Sequence, residues 1–274
     1  MSEFFFIVFK MSFIEIAYLI GVILIVGFML GIMEGLSNNF MQRALGRKGV
    51  MLTAWLGTPV HEIGHALMCI IFKHNITEIR LLNTRSDSEV LGYVRHSYNP
   101  NSLYQRVGNL FIGLGPIFSG TASLIIALYL LLPKAFNTYK VFLVQGINSD
   151  KIDKGTISSI FSAGTTLTKS IFTVPNISNI NFWIFLIIAI CIASHIALSK
   201  ADMNGAKDGL LVLFILIFMV NIIMRYFSIN TTNYIIRLSR YNAHLIGFLI
   251  IALIFSAFTL VFSLLCYGIA SLKR

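Results

Sequence analysis

Charged residues are scarce in this sequence of 274 residues: they make up 12% of it, whereas hydrophobic residues make up 57%. That composition excludes an ordinary soluble domain, in which about a quarter of the residues are charged. Six apolar stretches are each long enough, at about 18 residues or more, to span a bilayer. They cover residues 13–33, 50–72, 107–132, 181–201, 209–229 and 243–270. The pattern predicts an all-α polytopic membrane protein that forms one domain over residues 1–274, without a sizeable soluble module.

Cysteine and dense basic sequence are scarce as well. The three cysteines, Cys69, Cys191 and Cys266, all lie in predicted spans, which excludes a disulfide framework and argues against a thiolate zinc site. The net charge of +10 comes from Lys and Arg scattered over the loops. This distribution favours contacts with lipid headgroups and does not indicate nucleic-acid binding. The first predicted span is not expected to be a cleaved signal peptide, because its apolar core is long and no small-x-small site follows it.

Histidine is rare too, with 6 in the chain, yet two of them stand close together in the second predicted span. Residues 59–66 read Pro-Val-His-Glu-Ile-Gly-His-Ala. On a helix, positions i and i+4 share a face, so His61 and His65 can bind one Zn²⁺ together. Glu62 lies next to that face and can act as a general base that activates a zinc-bound water. The alternative is a pair of packed core histidines, but an ionisable cluster inside an apolar segment favours a functional site.

A third ligand has to come from elsewhere, because catalytic zinc sites use three protein ligands and keep one position for water. The candidates lie within or just after the end of the fourth predicted span and are, in order of preference, Asp202, Asp208 and His195. Predicted spans two and four cross the membrane in the same direction, so their ends approach the same membrane face. That parity favours Asp202. Cys69 is a candidate fourth ligand, because it lies four residues after His65 on the same helical face.

Two segments differ from the spans. Residues 76–82 and 90–96 are rich in β-branched and aromatic side chains and flank a polar turn at residues 85–88. They predict a membrane-associated β-hairpin after the second span. The edge of this hairpin either only packs or pairs with an extended substrate segment. Residues 133–180 are predicted to form a long, partly ordered polar loop, with a candidate interfacial helix over residues 156–172.

The third predicted span carries Gly113-Leu114-Gly115-Pro116. Small residues allow helices to approach closely in lipid, which makes tight packing the favoured interpretation. Pro116 removes one helical hydrogen bond and is expected to bend the span. The bend could also open space beside the zinc.

The motif His61-Glu62-x-x-His65, the pair Gly115-Pro116 and the Asp-containing cluster after the fourth span together resemble the site-2 protease family of intramembrane zinc metalloproteases. The resemblance covers about residues 50–210. It implies zinc held by two histidines and an aspartate, with Glu62 as base, at a site near the cytoplasmic face. It also implies that the hairpin helps to present substrate. The stretch Ser199-x-x-Asp202-x-x-Gly205-Ala206 lacks the family's Asn-Pro and is similar to a divergent bacterial branch.

These features predict a zinc-dependent intramembrane endopeptidase that cleaves a transmembrane or membrane-associated peptide. The expected location is the bacterial plasma membrane, with the N-terminus inside, because Lys and Arg in long outer loops count less toward orientation. The alternative is a non-catalytic membrane protein that binds or transports metal. A membrane di-iron oxidase is disfavoured, because only two of the six histidines form an H-x-x-x-H pair.

Overall fold

The computed structural model describes residues 2–84, 90–146, 154–229 and 240–272. These residues are mostly helical, with one two-stranded sheet. The helices are α1 Ser2–Leu45, α2 Arg47–Ile71, α3 Leu103–Leu131, α4 Pro133–Gly146, α5 Lys154–Ile171, α6 Val174–Ile177, α7 Ile180–Ala193, α8 Lys200–Tyr226 and α9 Arg240–Ser271. The strands are β1 Asn75–Arg80 and β2 Tyr93–Ser97.

Four of the described helices are long and apolar enough to cross a membrane: α1, α3, α8 and the Leu245–Ser271 part of α9. They indicate an integral membrane protein. At about 1.5 Å per residue, the 44 residues of α1 extend over about 66 Å, roughly twice the thickness of the hydrocarbon core. α2, which carries the His-Glu-x-x-His motif, and the short apolar α7 are not among the four, so six spans remain a prediction.

α3 is the central helix. Its apolar window is 61% buried, against at most 39% in the other three candidate spans. It packs against α2, α7, α8 and α9, while α1 and α9 pack along each other. The core between these helices is apolar and includes Leu110, Leu114, Ile117, Leu124 and Leu128 of α3, Phe182 and Phe185 of α7, and Phe255 of α9.

The region predicted as a long, partly ordered polar loop, residues 133–180, contains α4 and α6 as well as α5, so it is more helical than predicted. Pro133 opens α4, where its fixed φ and missing N–H are compatible with a helix. Tyr139 of α4 and Ile171 of α5 are buried in the core. These apolar positions recur between polar residues such as Ser and Thr, so the sequence does not indicate a helix strongly there. α5 lies where the candidate interfacial helix was predicted, and its interfacial location remains a prediction.

The predicted fourth span, residues 181–201, is not one helix. α7 ends at Ala193 after 14 residues, and at about 1.5 Å per residue it extends over about 21 Å, short of the hydrocarbon core of about 30 Å. Residues 194–199, here called the α7–α8 link, are not helical, and α8 begins at Lys200. The break matters because it lets the chain turn toward α2.

β1 and β2 pair in antiparallel fashion, which confirms the predicted hairpin, and the ladder has an irregularity between Ile76 and Glu78. The predicted turn at residues 85–88 lies outside the described residues. The hairpin approaches α2 closely at Gly92, just before β2. A Cβ at Gly92 would lie 2.8 Å from Thr58 Cγ2 and 2.9 Å from Glu62 Cγ, so only glycine fits there without displacing its neighbours.

Candidate metal centre

α2 presents His61 and His65 on one face, with their Nε2 atoms 3.1 Å apart. A backbone carbonyl holds the other nitrogen of each ring. The Nδ1 of His61 donates to the oxygen of His195 at 2.7 Å, and the Nδ1 of His65 donates to the oxygen of Ile112 at 2.8 Å. Because a carbonyl oxygen only accepts, both Nδ1 atoms carry a proton, and in the neutral rings both Nε2 atoms present lone pairs.

Asp202 brings a carboxylate to the same point. Its Oδ1 lies 3.2 Å from the Nε2 of His65, and its Oδ2 lies 3.6 Å from the Nε2 of His61. The ligand atoms of the three residues all lie within 4.8 Å of one another, so this metal group could hold an ion. Tetrahedral ligands with bonds of about 2.0–2.1 Å are about 3.3 Å apart, which matches these separations. Two lone pairs and a carboxylate that face one point are stabilised by a cation between them.

Asp202 reaches this position because it closes a capping box at the start of α8. The Oγ of Ser199 accepts from the N–H of Asp202 at 3.1 Å, and the Oδ2 of Asp202 accepts from the N–H of Ser199 at 2.8 Å. The prediction that Asp202 ends the fourth span was therefore wrong, because the residue lies in the first turn of the next helix. The Ser199-x-x-Asp202 spacing is the signal that could have identified this helix start.

Glycines let three helices converge at the metal group. A Cβ on Gly115 of α3 would lie 2.6 Å from the backbone oxygen of Gly64 of α2. A Cβ on Gly113 would lie 2.7 Å from the backbone oxygen of Asp202. Both separations are shorter than real Cβ contacts, so α3 touches α2 with one glycine and α8 with another. The tight packing expected around Gly113 and Gly115 therefore brings the two sources of ligands together, and α3 continues as one helix through Pro116.

Asp208, the second candidate for the third ligand, lies elsewhere. Its carboxylate accepts from Arg106 of α3 at 2.7 Å and 3.3 Å, and from the Nδ2 of Asn109 at 3.4 Å. This forked ion pair joins α8 to α3. Asp208 does not belong to the metal group.

His195 and Cys69, the remaining candidates, are not in the metal group either. The Nε2 of His195 lies 3.0 Å from the Oγ1 of Thr53, so this ring joins the α7–α8 link to α2. The backbone oxygen of the same residue holds the ring of His61. His195 therefore orients a member of the metal group through its backbone oxygen. Cys69 is buried in α2.

Sequence reasoning missed Glu34 of α1. Its Oε2 accepts from the backbone N–H of Ala197 at 2.9 Å. Ala197 lies in the α7–α8 link, between His195, whose backbone oxygen holds His61, and Asp202 of the metal group. Glu34 therefore anchors the α7–α8 link, which positions both His61 and Asp202. The available signal was a lone carboxylate at the end of an apolar run, where a charged group needs a partner.

The metal group lines a cavity of about 900 Å³. Glu62, Thr58 and Glu34 line the same cavity, and the hairpin contributes residues 90–94 and His96. Glu62 is buried and lies against the hairpin at Gly92. The buried hydroxyl of Thr58 has no hydrogen-bond partner among the residues that the structure describes. The cavity thus places a carboxylate, a free hydroxyl and a strand beside the metal group.

Comparisons with protein-family models, with curated proteins and with solved structures find no match for this chain.

Two imidazoles and one carboxylate are the ligands of several catalytic zinc sites, and also of non-haem iron sites. Three protein ligands leave a tetrahedral ion one position for water or substrate. A glutamate beside two zinc-binding histidines, as Glu62 stands beside His61 and His65, is typical of zinc metalloproteases with the His-Glu-x-x-His pattern.

Proposed function

We propose that this protein is a zinc-dependent intramembrane endopeptidase of the site-2 protease type, which cleaves a transmembrane or membrane-associated peptide. The observation that supports this function best is the meeting of His61, His65 and Asp202 in a cavity that also receives Glu62. The proposal includes the bacterial plasma membrane as the location, with the metal group nearer the cytoplasmic face.

The protein's own residues would divide the work of hydrolysis. When bound, zinc supplies a water with a pKa near neutrality and polarises the scissile carbonyl. Glu62 takes the proton of the attacking water and passes it to the amine that leaves when the C–N bond breaks. The carbonyls behind His61 and His65 keep both rings in the tautomer that can bind metal.

The substrate has to be extended where it is cut, because the amides of a helix are shielded by their own hydrogen bonds. β2 and the residues before it line the cavity, and one edge of a strand in a two-stranded sheet has unpaired N–H and C=O groups. Pairing along that edge would hold an unwound segment beside the metal group. The buried hydroxyl of Thr58 offers one further polar contact.

The test compares wild type with Glu62→Gln, each purified and reconstituted in liposomes. Membrane proteomics of cells that express one or the other identifies single-span fragments that accumulate with Glu62→Gln, and these supply the assay substrate. We expect turnover to fall by about 10²–10⁴-fold, the usual contribution of a general base, while zinc stays at about one per chain. Glu3→Gln, at the start of α1, is the matched control. Near-normal turnover by Glu62→Gln would refute the proposed role of Glu62.

Metal transport is the second candidate function, and one observation favours it. Ser12, Glu15 and Asn221 form a buried polar cluster between α1 and α8, in which the Nδ2 of Asn221 donates to the other two side chains. Buried ionisable groups in spanning helices often mark ion paths. Zinc flux into protein-loaded liposomes separates the two functions. A transporter keeps its flux in Glu62→Gln, whereas the proposed peptidase shows no flux in either form.

A further inference from the structure

A second pair of histidines lies next to the metal group, where α2, the hairpin and α3 meet. The Nδ1 of His74 lies 3.0 Å from the Nδ1 of His96 in β2. The Nε2 of His74 lies 2.8 Å from the backbone oxygen of Gln105 in α3. The pair thus joins three elements, and its hydrogen bonds engage the Nδ1 of His96 and leave its Nε2.

The position of His74 is determined by the end of α2. Lys73 adopts a left-handed φ of 57°, and the N–H of His74 donates to the oxygen of Cys69 at 2.8 Å. Together with the bond from the N–H of Lys73 to the oxygen of Ile70 at 3.2 Å, this is a Schellman motif. The ring of Tyr98 stacks on His74 with centroids 5.1 Å apart. His74 is buried and firmly held.

The proton positions of the pair follow from one acceptor. The oxygen of Gln105 only accepts, so the Nε2 of His74 carries a proton, and the neutral ring keeps a lone pair on Nδ1. The bond between the two rings therefore needs its proton on the Nδ1 of His96. That leaves the Nε2 of a neutral His96 without a proton, as a hydrogen-bond acceptor.

His96 lines the cavity, and its Nε2 makes no hydrogen bond to the residues that the structure describes. Burial, with His74 and His65 nearby, lowers the pKa of His96 and favours the neutral ring. An extended peptide in the cavity brings N–H groups that lose their bonds to water. Each one left unpaired costs about 1–3 kcal/mol.

We propose that His96 binds the peptide substrate, its Nε2 accepting a hydrogen bond from a backbone N–H of the extended segment beside the metal group. The inference rests on the proposed peptidase function and adds a residue that neither the metal group nor the general base includes. His74 is the positioning residue, because its Nδ1 selects the tautomer of His96.

The tautomer can be measured without substrate or activity. Nitrogen NMR of the full-length zinc-loaded protein, labelled at histidine, assigns the signals of His96 by comparison with His96→Gln. We expect a protonated Nδ1 and a bare Nε2. In His74→Phe, which keeps a ring under Tyr98 but removes the acceptor, the proton should redistribute toward Nε2. A wild-type His96 with its proton on Nε2 would overturn the proposal.

Peptide binding is measured with a fluorescent Leu-Ala-Leu hydroxamate, whose hydroxamate group binds metal, and with versions N-methylated at each amide in turn. For wild type, methylation of one particular amide should weaken binding by about 5–30-fold, as expected for one hydrogen bond. For His96→Phe, the unmethylated peptide should bind as weakly as the methylated one does to wild type. Methylation should then cost the variant less than about two-fold. His96→Gln, which keeps an acceptor, should recover part of the loss.

The outcomes separate the two proposals. Metal-dependent binding in which methylation and His96→Phe act independently overturns the role of His96 and leaves the peptidase function in place. A zinc-loaded wild type that binds none of the hydroxamates overturns the proposed function together with this inference. Zinc content and gel-filtration profiles of His96→Phe and His96→Gln identify variants that have lost the fold. If His96→Phe does not fold, the methylated and unmethylated peptides are compared on folded His96→Gln, which then tests whether His96 binds the peptide amide.

Discussion

The two histidine pairs have almost the same separation and different chemistry. Their nearest ring nitrogens are 3.1 Å apart in His61–His65 and 3.0 Å apart in His74–His96. In the first pair each neutral ring donates its one proton to a carbonyl, so both Nε2 atoms present lone pairs that a cation between the rings can bind. In the second pair one carbonyl binds one ring, and the other ring supplies the shared proton. The acceptors behind a histidine pair, more than the distance within it, determine what the pair binds.

The neighbouring carboxylate strengthens the contrast. Asp202 faces the first pair at 3.2 Å and 3.6 Å, whereas no described carboxylate forms an ion pair with the second pair. A cation is therefore favoured at one pair and not at the other. Three substitutions test this difference, in order of decreasing expected effect.

The largest effect is expected for His65→Ala, which should lower the affinity for zinc on the order of 10²–10³-fold, because zinc-site energies of about 10–16 kcal/mol are shared among few ligands. His96→Ala, the matched change in the other pair, should keep about one zinc per chain. Elemental analysis after dialysis against a chelator measures both. If both variants lose zinc to the same extent, the distinction between the pairs is wrong.

Asp202→Asn is expected to have the next largest effect. Asparagine keeps an oxygen that can close the capping box with Ser199, so α8 should still start correctly while the negative charge is lost. We expect zinc affinity to fall on the order of 10²-fold, because the site loses its anionic ligand. Asp208→Asn, which weakens the ion pair with Arg106, should change zinc affinity less than about three-fold. Competition with a chromophoric chelator measures both, and a larger loss in Asp208→Asn would reverse the assignment.

Glu34→Ala should have the smallest of the three effects, lowering zinc affinity about 10-fold, as is typical when a residue behind the ligands is removed. The N–H of Ala197 loses its acceptor, and the α7–α8 link that holds His61 and Asp202 becomes looser. Glu34→Gln keeps an acceptor and should bind zinc nearly as wild type does. Equal losses in both variants would show that the charge of Glu34 matters, and not its hydrogen bond.

Local patterns predicted one part of the molecule well. His61 and His65 lie on one face because the helical repeat places residues four apart together, and the hairpin follows from two β-rich segments. Of the helices between residues 133 and 180, α4 and α6 were missed because their polar side chains outweighed the few buried apolar positions. The predicted span 181–201 is interrupted at Ala193, where α7 ends. Hydropathy did not predict this interruption, because it does not detect the end of a helix.

By itself, the sequence determined the apolar helices, the hairpin, and the two histidines and glutamate of α2, because each depends on residues a few positions apart. Only the tertiary structure decided that Asp202 and not Asp208 meets those histidines, since that choice depends on the α7–α8 link and on the glycine contacts of α3. It also decided the tautomers of all four histidines in the two pairs. The carbonyls of Ile112, His195 and Gln105 come from distant parts of the chain, and their approach is a consequence of packing, which local sequence patterns do not encode.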